Sequence, residues 1–103
     1  MRGMTGYHNK VKFNIINNLR KKGYYIIANS AFHSLCDLIA ISGKDAKLIM
    51  IRGLNNLKFE HAEIDELFPN DIKKFKEFKV PCQHFQKLVY LTYGDEVRRI
   101  IAI

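Results

Sequence analysis

Asp37-Leu38-Ile39-Ala40-Ile41, a turn at Gly43-Lys44-Asp45, then Lys47-Leu48-Ile49-Met50-Ile51: this stretch decides the fold. Each flank of the turn is a nearly continuous apolar run of strand length, without the in-and-out alternation of a strand that keeps one face in water. The first run marks a central strand buried on both faces, and the second reads as another apolar strand. The Gly43-Lys44-Asp45 signal between them predicts a hairpin. The centre of a sheet therefore falls at residues 37 to 52, and something must cover it from each side.

Working outward toward the N-terminus, Asn29 to Cys36 reads as a loop and Tyr24 to Ala28 as a short aromatic and β-branched strand. Before it, Val11, Ile15 and Leu19 recur at four-residue steps with Ile16 beside them. Lys21-Lys22 and Gly23 follow, as at a helix C-terminus, which predicts an amphipathic helix over Asn9 to Lys22. Toward the C-terminus, Gly53 to Glu60 reads as a loop. Pro69-Asn70 supplies a stop and an N-cap for a helix bearing Ile72, Phe75 and Phe78 among Lys73, Lys74, Lys76 and Lys79, closed by Val80-Pro81. Lys87 to Tyr93 and Val97 to Ile103 predict two last strands around Gly94-Asp95-Glu96. The expected architecture is one α/β domain over residues 1–103, a single mixed β-sheet flanked by helices in the order αβββαββ.

A chain of 103 residues with 48% apolar content builds one core and has no room for a second domain. No stretch approaches the roughly 18 apolar residues of a membrane span. Met1-Arg2-Gly3-Met4-Thr5-Gly6 leads into polar sequence rather than an apolar signal region, so a cytoplasmic protein is expected. Cys36 and Cys82 are too few for a disulfide framework and are expected to be reduced. Seventeen Lys and Arg against ten Asp and Glu leave a net charge of +7, which attracts polyanions, nucleic acid first among them. Acids are scarce around Lys10, Lys12, Arg20, Lys21 and Lys22, whereas a face that only confers solubility mixes both signs. The chain has no Trp to stack on bases, no Gly-rich phosphate loop and no G-x-S-x-G elbow. His33-x-x-Cys36 and Cys82-x-His84 carry zinc-binding residue types, but C-x-H is tight for two ligands of one metal. The default is a packed Cys36 with surface histidines.

Leu19-Arg20-Lys21-Lys22-Gly23-Tyr24-Tyr25-Ile26-Ile27-Ala28-Asn29-Ser30-Ala31, then Asp37-Leu38-Ile39-Ala40-Ile41 and Leu48-Ile49-Met50-Ile51-Arg52, resemble the core of the PD-(D/E)XK, or restriction-endonuclease-like, nucleases. Within that superfamily the stretch is most similar to archaeal Holliday junction resolvases. The likeness covers residues 10 to 53, and it implies a helix bearing an acid, an aspartate opening an apolar strand, and a (D/E)-x-K triad ending the next.

Those nucleases cut with convergent carboxylates that hold Mg²⁺, which lowers the pKa of an attacking water, while a lysine orients it. By the family's spacing Asp37 is the central aspartate, but Met50 stands where the second acid should be, Arg52 replaces the lysine, and the helix acid falls on Lys12. A guanidinium stays protonated and cannot move a proton as an amine can. The expectation is thus a DNA-binding protein with this fold and without catalysis, no cofactor, and Mg²⁺ on Asp37 only if another acid has moved in. Glu60, Glu63 and Asp65 are the nearby supply. Asp37 and Arg52 are the catalytic remnants. Lys10, Lys12, Arg20, Lys21, Lys22, Ser30, Arg52, Lys73 and Lys74 are the candidate contacts to duplex or branched DNA. The resemblance also implies a homodimer; apolar Phe85 and the run Ile100-Ile101-Ala102-Ile103 read equally as a dimer surface or as core. The alternatives are an active structure-specific endonuclease and a protein-interaction module. For Asp37 the plain structural alternative is a strand-entry residue that accepts backbone N–H groups.

Overall fold

The computed structural model describes residues 2–28, 36–79 and 85–103, with side chains from Lys10 onward. Helix α1 (Arg2–Lys21) is followed by strands β1 (Tyr25–Ala28), β2 (Leu38–Ile41) and β3 (Ala46–Gly53). A single 3-10 turn (Leu57–Phe59), helices α2 (Ile64–Leu67) and α3 (Pro69–Glu77), and strands β4 (Phe85–Tyr93) and β5 (Glu96–Ala102) complete the chain. The strands form one mixed sheet in the order β1-β2-β3-β4-β5. Only β3 and β4 run parallel, the other neighbours being antiparallel. A parallel pair needs a crossover, and the segment carrying α2 and α3 supplies it.

β3 explains the layering. Successive residues of a strand point to opposite faces, so its unbroken apolar run feeds two cores. Ile49 and Ile51 join Val11, Ile15 and Leu19 of α1, with Leu38, Ala40 and Tyr90. Leu48 and Met50 join Ile64, Ile72 and Phe75 of α2 and α3, with Val89 and Leu91. Helix α1 therefore covers one face of the sheet, and α2 with α3 the other.

The β2–β3 hairpin forms where Gly43-Lys44-Asp45 predicts it, with Ile41 opposite Ala46. α1 stops as expected: Gly23 adopts φ 94° and donates its N–H to Arg20 O at 3.0 Å. Its start differs. The helix begins at Arg2, ahead of the Asn9 that the apolar spacing marks, although Gly3 and Gly6 lower local helix propensity.

In α3, Pro69 occupies the first turn and Asn70 lies inside the helix rather than capping it, since proline's fixed φ and missing N–H suit that position. The helix ends at Glu77. Phe78 turns extended at ψ 119°, leaves the apolar stripe and is exposed, while Ile72 and Phe75 are buried. The short helix α2 was not expected, and it changes the order αβββαββ by one element. The span 53–60, read as loop, likewise contains the 3-10 turn, capped by the Asn56 side chain accepting from Lys58 N at 3.0 Å. One turn of helix has no repeat for a sequence pattern to show. The terminal run divides by alternation: Ile101 and Ile103 pack against the α2–α3 core together with half-buried Phe85, whereas Ile100 is exposed.

Candidate functional site

Asp37 stands just before β2, and one step beyond the Leu38–Ile49 pair it faces Met50 on β3. The sequence spacing thus corresponds to a real juxtaposition across the hairpin. Asp37 is buried, 7% exposed. Its N–H donates to Ile49 O at 2.8 Å, and its Oδ2 accepts the Ile51 N–H at 2.7 Å and Arg52 Nη1 at 3.3 Å. The carboxylate is thereby built into the β2–β3 ladder as a backbone acceptor.

Arg52 projects from the end of β3 toward the α3 face. Besides Asp37 it reaches Asp71, with Nε to Oδ2 at 2.9 Å, and its own strand, with Nη1 to Ile51 O at 2.8 Å. One guanidinium bridges two carboxylates. The fork of donors on a flat, always charged group makes that geometry possible, which a lysine could not reproduce. Met50 has no exposed surface and belongs to the apolar core with Leu48, Ile72 and Phe75.

None of the three nearby acids lies against Asp37. Glu60 pairs with Arg98, and Asp65 with Lys76 at 3.2 Å, while Glu63 is exposed at the N-cap of α2. The Arg98 hydrogen bond holds the Glu60 carboxyl below its ordinary range. Asp71 is the acid that joins Asp37. In sequence it carries a sufficient bland explanation, a carboxylate in the first turn of a helix, and only the docking of α3 shows its second role.

These residues do not fit a hard divalent cation. Mg²⁺ takes an octahedron of oxygens with few rivals for them. Here Asp37 Oδ2 already accepts two donors, a permanent cation lies between the carboxylates, and the residue facing Asp37 across the hairpin is Met50, whose thioether is a poor ligand for such an ion. Among the described residues no group of three His, Cys, Asp or Glu side chains is placed to hold a metal ion. Of the four candidate zinc ligands, His33, Cys82 and His84 lie outside the described residues, as does Ser30. Cys36 is half-buried, and its Sγ donates to Leu38 O at 3.0 Å. Burial, helped by the Asp37 charge, pushes its thiol above the ordinary value, which suits a packed cysteine rather than a reactive one.

The basic residues divide between the two faces of the sheet. Lys73 and Lys74 are exposed on α3, and Arg20, Lys21 and Lys22 are exposed at or just past the C-terminus of α1. Among the described residues none of these five has an acidic partner. Lys10 pairs with Asp95 at 3.1 Å, and the Lys12 side chain is half-buried. Lys10 and Arg20 are also some 15 Å apart along the helix, at 1.5 Å per residue. Arg52, only 17% exposed in its side chain, is engaged inward. The predicted contacts therefore form at least two separate surfaces, not one.

Together these features define a three-layer α/β domain whose mixed sheet carries, at one end, a carboxylate–guanidinium–carboxylate cluster. No protein-family model, curated protein or solved structure matches this chain. No helix is long and apolar enough to cross a membrane.

Proposed function

We propose that this is a nuclease-like domain of the PD-(D/E)XK type that binds DNA without cutting it. The observation that carries the reading is Arg52 seated between Asp37 and Asp71: the position of the resemblance's lysine has become an internal counter-ion. The helix–hairpin–crossover course of the chain supports the fold assignment. The +7 charge supports the binding, as do Arg20, Lys21, Lys22, Lys73 and Lys74, which have no acidic partner among the described residues. In this reading affinity comes from phosphates and is tolerant of sequence.

Anisotropy titrations of duplex and four-way-junction DNA test it. If about five phosphates are neutralised, the slope of log K against log[salt] is close to −4.5, and affinity falls several-hundred-fold between 50 and 200 mM salt. Incubation with Mg²⁺ or Mn²⁺ leaves both DNAs intact. Absence of binding at low salt would sink the proposal, and metal-dependent nicking abolished by Asp37→Ala would replace it with the endonuclease reading.

A second reading, self-association, is favoured by one surface. Tyr25, Ile27 and Ile41 are exposed on the α3 side of edge strand β1 and its neighbour β2, with Tyr25 directly opposite Ile41. A homodimer that buries this face dissociates in Tyr25→Glu/Ile27→Glu, which sedimentation equilibrium reads directly. A monomeric parent protein refutes it.

A further inference from the structure

Far from Asp37 and Arg52, the C-terminus of α1 meets the turn between β2 and β3. Ala46 at the start of β3 and Arg52 near its end are about 20 Å apart at 3.3 Å per residue, so the two regions cannot belong to one small site.

The turn is held by a closed set of hydrogen bonds. The Tyr24 hydroxyl reaches both Asp45 carboxylate oxygens, at 2.9 and 3.1 Å, the Ser42 hydroxyl donates to Oδ1 at 2.9 Å, and the Lys47 ammonium stands 3.4 Å from Oδ2. Ser42 Oγ in turn accepts the backbone N–H groups of Lys44 and Asp45 at 3.1 and 3.2 Å. The Tyr24 bond first, and Ser42 next, hold the Asp45 carboxyl below its ordinary range. Its charge is answered from within. The network also ties the turn to the end of α1, so both become rigid supports for whatever they carry.

They carry cations. An open depression of about 410 Å³ is lined by Lys22, Tyr24, Ser42, Gly43, Lys44 and Asp45. Lys22 rises from the α1 side and Lys44 from the turn, both exposed, and among the described residues neither has an acidic partner. Arg20 and Lys21 stand immediately before Lys22, and among the described residues they too have no acidic partner. Asp45 is the one acid in the lining, and three donors already occupy it.

We propose that this depression binds a phosphate group, gripped by Lys22 and Lys44 from two elements that the Tyr24–Asp45–Ser42 network fixes relative to each other. Lysine ammonium groups suit phosphate as point charges, and supports that are rigid before binding lose little entropy when it occurs. As a site for the DNA backbone this inference rests on the DNA-binding reading. It places the nucleic acid at the turn end of the sheet, away from the Asp37–Arg52–Asp71 cluster, so the loss of catalytic acids would leave the contact untouched.

The experiment compares the parent protein, Lys22→Ala/Lys44→Ala and Lys73→Ala/Lys74→Ala, all with exposed substitutions, for duplex DNA affinity across a salt series. Amide NMR spectra in inorganic phosphate alone accompany it. The site predicts a loss of about tenfold or more in Lys22→Ala/Lys44→Ala with a salt slope shallower by about two, a change below threefold in the α3 pair, and phosphate-induced shifts at the Gly43 and Lys44 amides that vanish in the variant. Loss confined to the α3 pair overturns the site while DNA binding stands. Phosphate shifts at Gly43 and Lys44 in a protein that ignores DNA keep the site and remove the DNA reading. No response to either ligand overturns both.

Discussion

Asp37→Ala is expected to destabilise the fold by about 3–5 kcal/mol, the usual cost of removing one partner from a buried, hydrogen-bonded ion pair. The Ile51 N–H, bonded at 2.7 Å, loses its side-chain acceptor, and the Arg52 guanidinium, whose side chain is only 17% exposed, loses one of its two carboxylate partners and keeps Asp71. For a domain of this size each kcal/mol corresponds to about 4–8 °C in Tm, so thermal unfolding followed by circular dichroism should fall by well over 10 °C. The direction is diagnostic. Removing an acid held at a strained catalytic centre tends to leave stability unchanged or raise it. A loss below about 0.5 kcal/mol would therefore return Asp37 to catalysis.

The same cluster makes a second, internal check. Replacing the pair together, as Asp37→Leu/Arg52→Met, removes the charges and the need to satisfy them, and should recover part of the single-variant loss. DNA affinity measured below the unfolding transition should be unaltered in Asp37→Ala, because the proposed phosphate contacts lie elsewhere.

Phe75→Ala should cost a comparable 3–5 kcal/mol, the range for truncating a fully buried aromatic. Phe75 has no exposed surface and sits in the cluster that joins α3 to β3 and β4. Asp71, one turn earlier on α3, depends on that docking to reach Arg52. Its own contribution is small: the side chain is 45% exposed, so Asp71→Asn should cost less than about 1 kcal/mol. Urea denaturation of the two variants measures the contrast. Equal losses would mean that the ion pair, rather than the aromatic core, holds α3 against the sheet.

How far the sequence reaches can be judged residue by residue. The central strands were legible because β3 is apolar at successive positions, and only burial on both faces explains that pattern. The hairpin and the end of α1 were legible because turn residues and a glycine with positive φ act over a few residues. The helix α2 was not, being a single turn, and Phe78 was placed on the wrong side of a helix end because the three-residue rhythm continues past the last hydrogen-bonded turn.

In the candidate site, the juxtaposition of Asp37, Met50 and Arg52 could be counted from sequence, since spacing across a tight antiparallel hairpin is a local property. Asp71 could not be, nor could the separation of the α1 and α3 lysines onto opposite faces. The sequence by itself determined the central strands and their hairpin, and with them that Asp37 faces Met50. Only the tertiary structure decided that Arg52 is shared by two carboxylates and that Tyr24, Ser42 and Asp45 brace a lysine-rimmed depression. Both depend on helices docking against the sheet, and docking brings together side chains whose separation along the chain carries no local signal.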